Sequence, residues 1–115
     1  MDAMLNPGTI SALQEFEEPG KKDFLTEIIT AYTQDTAVRF QSLWAAHQSG
    51  QPIELGKMAH AIKGSSLNVG ADPLSNLMRA IEMQGKSGVL TPSEKIEEAE
   101  AMFRKVCEAL KIYTN

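Results

Sequence analysis

The chain has 115 residues, 43% of them hydrophobic and 23% charged, with a formal net charge of −4, which suits one water-exposed globular domain with one core. The acidic balance argues against nucleic-acid binding, which needs a concentrated basic face, and Lys57 with Lys63 makes only a local one. No apolar run could span a bilayer and no secretory signal stands at the start, so a cytoplasmic chain without membrane contact is expected.

Cys107 is the single cysteine, so an internal disulfide is excluded; its place on an apolar stripe reads as a small buried hydrophobe. Two histidines and one cysteine make no metal-ligand cluster, and no metal site is expected.

Punctuation predicts five helices. Asn6-Pro7, Asp72-Pro73 and Thr91-Pro92 each pair a capping side chain with a proline suited to the first helical position. Thr91 with Glu94 also spells a capping box. The first helix is predicted from Pro7 to Glu17, with Ile10 and Leu13 inward, and is ended by Pro19-Gly20. The second runs from Lys22 to Gln48, where Leu25, Ile28, Ile29, Tyr32, Thr36, Leu43 and Ala46 keep a helical period. His47, near its end, reads as a cation or polar cap at the negative helix terminus, with no part in chemistry.

Ser49-Gly50-Gln51-Pro52 is the next turn. A third helix extends from Pro52 or Ile53 to Val69 and stops at Gly70. A short fourth helix, Pro73 to Gln84, carries the stripe Leu74, Leu77, Met78 and Ile81, and Gly85 to Leu90 forms the last loop. The fifth, Pro92 to Ile112, buries Ile96, Ala99, Phe103, Val106 and Leu110. No strand alternation, repeat or low-complexity tract interrupts the pattern. Short connections between long amphipathic helices predict an all-α fold, an antiparallel up-down-up-down four-helix bundle. The additional short N-terminal helix lies across one end, and residues 1–115 form a single domain.

The third helix carries the segment HAIKGSSLNVGA, from His60 to Ala71. At about 100° per residue, Leu55, Met58, Ala59, Ile62, Ser66 and Val69 share an arc of roughly 100° facing the core. His60 points away from it, on the side of Gly56, Lys57, Lys63, Gly64 and Leu67. Glycine inside a helix costs about 1 kcal/mol relative to alanine, so Gly64 asks for a reason, and close approach of another surface supplies one. Each residue alone has an ordinary explanation: a surface histidine, a solvated lysine, small serine spacers. Together they place a nucleophilic ring, a cation and side-chain-free positions on one face, which suits a histidine that accepts a phosphoryl group.

HAIKGSS followed by Asn68, Val69, Gly70 and Ala71 resembles the signature of histidine-containing phosphotransfer (HPt) domains of two-component phosphorelays, with Ile81-Glu82 where relatives carry a Leu-Glu or similar pair. Ile62 departs from the leucine of many relatives, without consequence for the outward face. The resemblance covers the whole chain and implies a helical domain with its histidine on the second bundle helix. It further implies that His60 is phosphorylated at Nε2 by an aspartyl phosphate on a response-regulator receiver domain and passes the group to a second receiver. Such a chain is either free-standing or the C-terminal domain of a hybrid sensor histidine kinase.

Lys63 would offset phosphoryl charge, modestly because the site is wet. Gly56, Lys57, Gly64 and Leu67 would receive the docking partner, with Ile10, Leu13 or Phe40 either adding to that patch or belonging to the core. Glu82 either orients His60 or Lys63 by a hydrogen bond or is a plain surface carboxylate. The dispersed glycines at 56, 64 and 70 form no nucleotide loop, and Glu54 and Glu82 form no Mg²⁺ cluster. A phosphocarrier without its own ATP site or cofactor is therefore expected, with Mg²⁺ held by the partner receiver and the protein a monomer. The competing reading is a helical adaptor that docks receivers without carrying phosphate; an enzyme with its own cycle finds no acid-base pair.

Overall fold

In the computed structural model, residues 4–16 and 24–114 are described. The predicted helix end at Glu17, the Pro19-Gly20 stop and the Lys22 start lie outside them. Five helices follow in order: α1 Pro7–Glu15, α2 Phe24–Gln48, α3 Pro52–Asn68, α4 Asp72–Lys86 and α5 Ser93–Leu110, with a 3-10 turn over Lys111–Tyr113. The fold is all-helical, with α2 to α5 as the bundle.

The predicted apolar stripes meet in one core. Leu43, Leu55, Ala59, Ile62, Leu74, Met78, Ile96, Ala99, Val106 and Leu110 are fully buried or nearly so. Aromatic rings fix α2 against α5: Phe103 lies 5.3 Å from Phe40 and 5.9 Å from Tyr32, the latter edge-on, an arrangement ring quadrupoles favour. Two hydrogen bonds pin α2 to α3. The Tyr32 hydroxyl lies 2.9 Å from Ser66 Oγ in the core, and Arg39 Nη1 donates to Ser65 Oγ at 2.9 Å. Burial pushes the Tyr32 phenol above its ordinary pKa, against the opposing pull of Ser66. The two serines after Gly64 thus serve helix packing.

Asn6 caps α1 as predicted, its side chain accepting from Gly8 N and Thr9 N. The same residue ties α1 to the α3–α4 junction: Asn6 N donates to Gly70 O at 2.7 Å, and Asn6 Nδ2 donates to Asp72 Oδ2 at 3.0 Å. Gly70 ends α3 with φ 77°, the left-handed conformation that favours glycine.

The other two predicted starts are corrected. Asp72 does not cap α4, which already includes it; its carboxylate is engaged by Asn6 and sits in the first turn, where the helix dipole favours an anion. Pro92 lies outside α5 in an extended conformation, with ψ 144°. That places Thr91 two residues before the helix, buried, with its hydroxyl donating to Gln84 Oε1 at 3.2 Å, so no capping box forms.

The fourth helix is also longer than predicted. It runs through Gly85 to Lys86, and the left-handed residue beyond it is Gly88, with φ 82°. Gly85 belongs to the helix because it packs there. A Cβ on it would stand 2.6 Å from Pro52 O and 2.7 Å from Gly56 N and Cα. Gly56 and Gly85 therefore let the backbones of α3 and α4 touch, and this is the most extensive helix pairing in the bundle.

Candidate functional site

The α3–α4 contact sets the site. Just over one turn along α3 from Gly56 stands His60, and nearly one turn back along α4 from Gly85 stands Glu82. Close backbones bring these two side chains within reach. The His60 ring Nδ1 lies 2.7 Å from Glu82 Oε2. The ring side chain is 62% exposed, whereas that of Glu82 is 4% exposed.

Glu82 is a hub. Lys63 Nζ donates to its Oε1 at 2.7 Å, and Lys86 Nζ donates to its Oε2 at 2.8 Å, beside the histidine. Burial alone would raise the carboxyl pKa. The hydrogen bonds from Lys63, Lys86 and His60 outweigh it and hold the group down to about 2. An ionised carboxylate only accepts, so Nδ1 carries the ring proton toward Glu82. In the neutral ring the lone pair is then on Nε2.

The remaining predicted positions separate cleanly. Lys57, Gly64 and Leu67 are exposed on the His60 face of α3. A Cβ on Gly64 would meet nothing within 4 Å, so the packing of this chain does not demand glycine there. Ile53 shares this stripe, seven residues before His60 as Leu67 is seven after, and both are exposed. Apolar side chains thus flank the ring at about 10 Å along the helix on either side.

Gly56 is corrected: it is buried against α4, and a Cβ there would lie 3.2 Å from Glu82 O and Lys86 N, so it joins helices and does not receive a partner. Ile10 and Phe40 belong to the core, and Leu13 packs at its edge, which removes them from the exposed patch. Lys63 is not a free cation in water. Its side chain is 24% exposed and committed to Glu82. His47, in the last turn of α2, packs edge-on to Trp44 at 5.9 Å, away from His60 in the chain and without a contact to the hub. Cys107 is a half-buried free thiol whose pKa burial pushes up.

Two members of the site escaped the sequence reading. Lys86 was readable in principle, because a glutamate four residues before a lysine is a favourable helix pair, but it fell in the predicted loop. Gly85 gave no such signal, since its partner Gly56 is 29 positions away and the pairing needs the crossing of two helices. Among the described residues, no helix is long and apolar enough to cross a membrane, and no group of three or more His, Cys, Asp or Glu side chains could hold a metal ion.

A family model described as "Hpt domain" matches residues 27–111. Among solved structures, the chain is similar to the crystal structure of histidine-containing phosphotransfer protein B (HptB) from Pseudomonas aeruginosa PAO1. The TM-score is 0.87 and the identity 28%, over 96% of this chain and 94% of that one. A comparison with curated proteins found no match.

Proposed function

The chain belongs to the Hpt domain family, whose work is histidine phosphotransfer in phosphorelays, and from that premise we propose that His60 is its phosphoryl-carrying residue, loaded at Nε2 by one receiver domain and unloaded by another. The observation that carries this reading is the pairing of an exposed ring with a buried anion. Glu82 Oε2 accepts a hydrogen bond from Nδ1–H at an N···O distance of 2.7 Å, which leaves the lone pair on Nε2 and fixes the ring's direction without covering it.

The chemistry needs little else from this chain. The Nε2 lone pair forms a bond to the phosphorus of a receiver's aspartyl phosphate as the P–O bond breaks, and the electron pair leaves with the aspartate carboxylate. In the loaded ring, the positive charge that develops sits against Glu82 while the proton stays on Nδ1. Onward transfer is the reverse step, with a second receiver's aspartate attacking and the electron pair returning to Nε2. In-line geometry is the main requirement of phosphoryl transfer, and a side chain on a packed helix meets it. Mg²⁺ belongs to the receiver in this account.

Gly64 and Lys57 form the near floor of the docking face, flanked by Ile53 and Leu67. Open space over Gly64 supports close approach of the receiver's active-site loops. The test is to mix the protein with a Mg²⁺-loaded, phosphorylated receiver and follow the label. Loss of aspartyl phosphate with gain of an acid-labile, alkali-stable label on this chain is the expected result; a receiver that docks and keeps its phosphate would support the adaptor reading instead.

A further inference from the structure

The two lysines on Glu82 are not equivalent. Lys63 has Oε1 to itself and is three-quarters buried, at 24% exposure. Lys86 shares Oε2 with the His60 ring and is 64% exposed. Removing Lys63 from Oε1 strips a buried carboxylate oxygen of its charge partner, a costly change. Removing Lys86 leaves Oε2 still hydrogen-bonded to Nδ1. An exposed ion pair is weak, and the lysine stem is flexible with three rotatable donors. Of the two cations, only Lys86 can leave its partner cheaply.

An alternative partner arises across the ring. Lys86 Nζ and His60 Nδ1 are second neighbours across one oxygen, and Nε2 is on the far side of the same small ring. A phosphoryl group on Nε2 brings close to two negative charges and three acceptor oxygens into that space. We propose that Lys86 is a phosphoryl-responsive cation: it pairs with Glu82 while His60 is free and moves to the phosphoryl oxygens when His60 is loaded. Lys63 stays on Glu82 in both states. The structure thus divides between two residues the roles that the sequence motif suggests for Lys63 alone, one lysine holding the buried anion and the other meeting the phosphate. Lys86 is a positioning and charge-matching residue, and the inference rests on His60 being the carrier.

Phosphoramidate tests it without a protein partner. The Nε2 lone pair displaces ammonia from the donor phosphorus, the donor P–N bond breaks and the ammonia takes up a proton as ammonium, so the phosphorylated fraction at a fixed phosphoramidate-to-ammonium ratio measures the stability of the loaded state. Lys86→Met is expected to lower that equilibrium constant roughly two- to five-fold, the range of an exposed charge pair, and Lys86→Arg to restore most of it. In the wild-type protein the Lys86 side-chain amine resonance should move on phosphorylation while that of Lys63 holds. A Lys86 resonance that ignores phosphorylation, or an equilibrium unchanged in Lys86→Met, overturns the inference. If wild type takes no phosphoryl group, or takes it equally in His60→Gln, the carrier assignment itself fails and the role of Lys86 falls with it.

Discussion

His60 Nδ1 and Glu82 Oε2, 22 positions apart in the chain, meet at 2.7 Å between neighbouring helices. One partner is exposed and the other buried, so the pair transmits the rigidity of the core to a ring that stands in solvent. Under the proposed function, this is how a small bundle aims a nucleophile at a surface it does not itself contain.

Glu82 should give acid stability a distinct signature. Its folded-state carboxyl is held at about 2, below the ordinary 4.5, so the group binds its proton more weakly in the folded chain than in the unfolded one. Its contribution is fully present above about 4.5 and is lost as pH falls through about 2. Full linkage would make it on the order of 3 kcal/mol, and solvent screening at the exposed Lys86 and His60 brings it down to about 1–2 kcal/mol. Denaturant melts across that window should converge for wild type and Glu82→Gln as pH falls. Curves that stay parallel would deny the carboxylate this role.

Gly64 and Gly85 should respond to alanine with opposite signs. Gly64→Ala adds a methyl group to open space in a helix and should raise stability by up to about 1 kcal/mol. Gly85→Ala drives a Cβ into the backbone of Pro52 and Gly56 and should cost about 1–3 kcal/mol, the range for overpacking. Thermal melts measure both. Transfer kinetics complete the contrast: Gly64→Gln, still helical by circular dichroism, should slow transfer from a phosphorylated receiver, and an unchanged rate would remove the close-approach argument.

Lys63→Ala tests the holding role. Loss of the Oε1 partner should destabilise the fold by about 1–3 kcal/mol, the cost of leaving a buried acceptor unsatisfied, and should slow transfer without abolishing it as the ring loses its fixed support. Chemical denaturation and single-turnover transfer read the two effects. Complete loss of transfer in a folded Lys63→Ala protein would mean that the ammonium acts on the phosphate directly.

The helices and their buried stripes were legible because periodicity reports burial within one element. The outward direction of His60 followed from the same arithmetic. Pairings between elements were not legible. Gly56 lies angularly near His60, and a helical wheel does not show that α4 covers it. Gly85 looked like a helix stop because glycine after an apolar stripe usually is one; its packing against Gly56 kept the helix going to Lys86, with Gly88 as the residue that takes the positive φ. The predicted box at Thr91 failed for a local reason, since Pro92 adopted an extended conformation before the helix and turned the hydroxyl toward Gln84. Glu82 was open between orienting group and surface carboxylate until the helix crossing placed it beneath the ring.

The most direct test is to locate the phosphorus atom. The protein, labelled with ¹⁵N at histidine and loaded from a phosphorylated receiver, can be read by phosphorus–nitrogen coupling in NMR. A single coupled nitrogen is expected, Nε2 of His60, with the proton retained on Nδ1. Phosphorus on Nδ1, on His47 or on no histidine would contradict it.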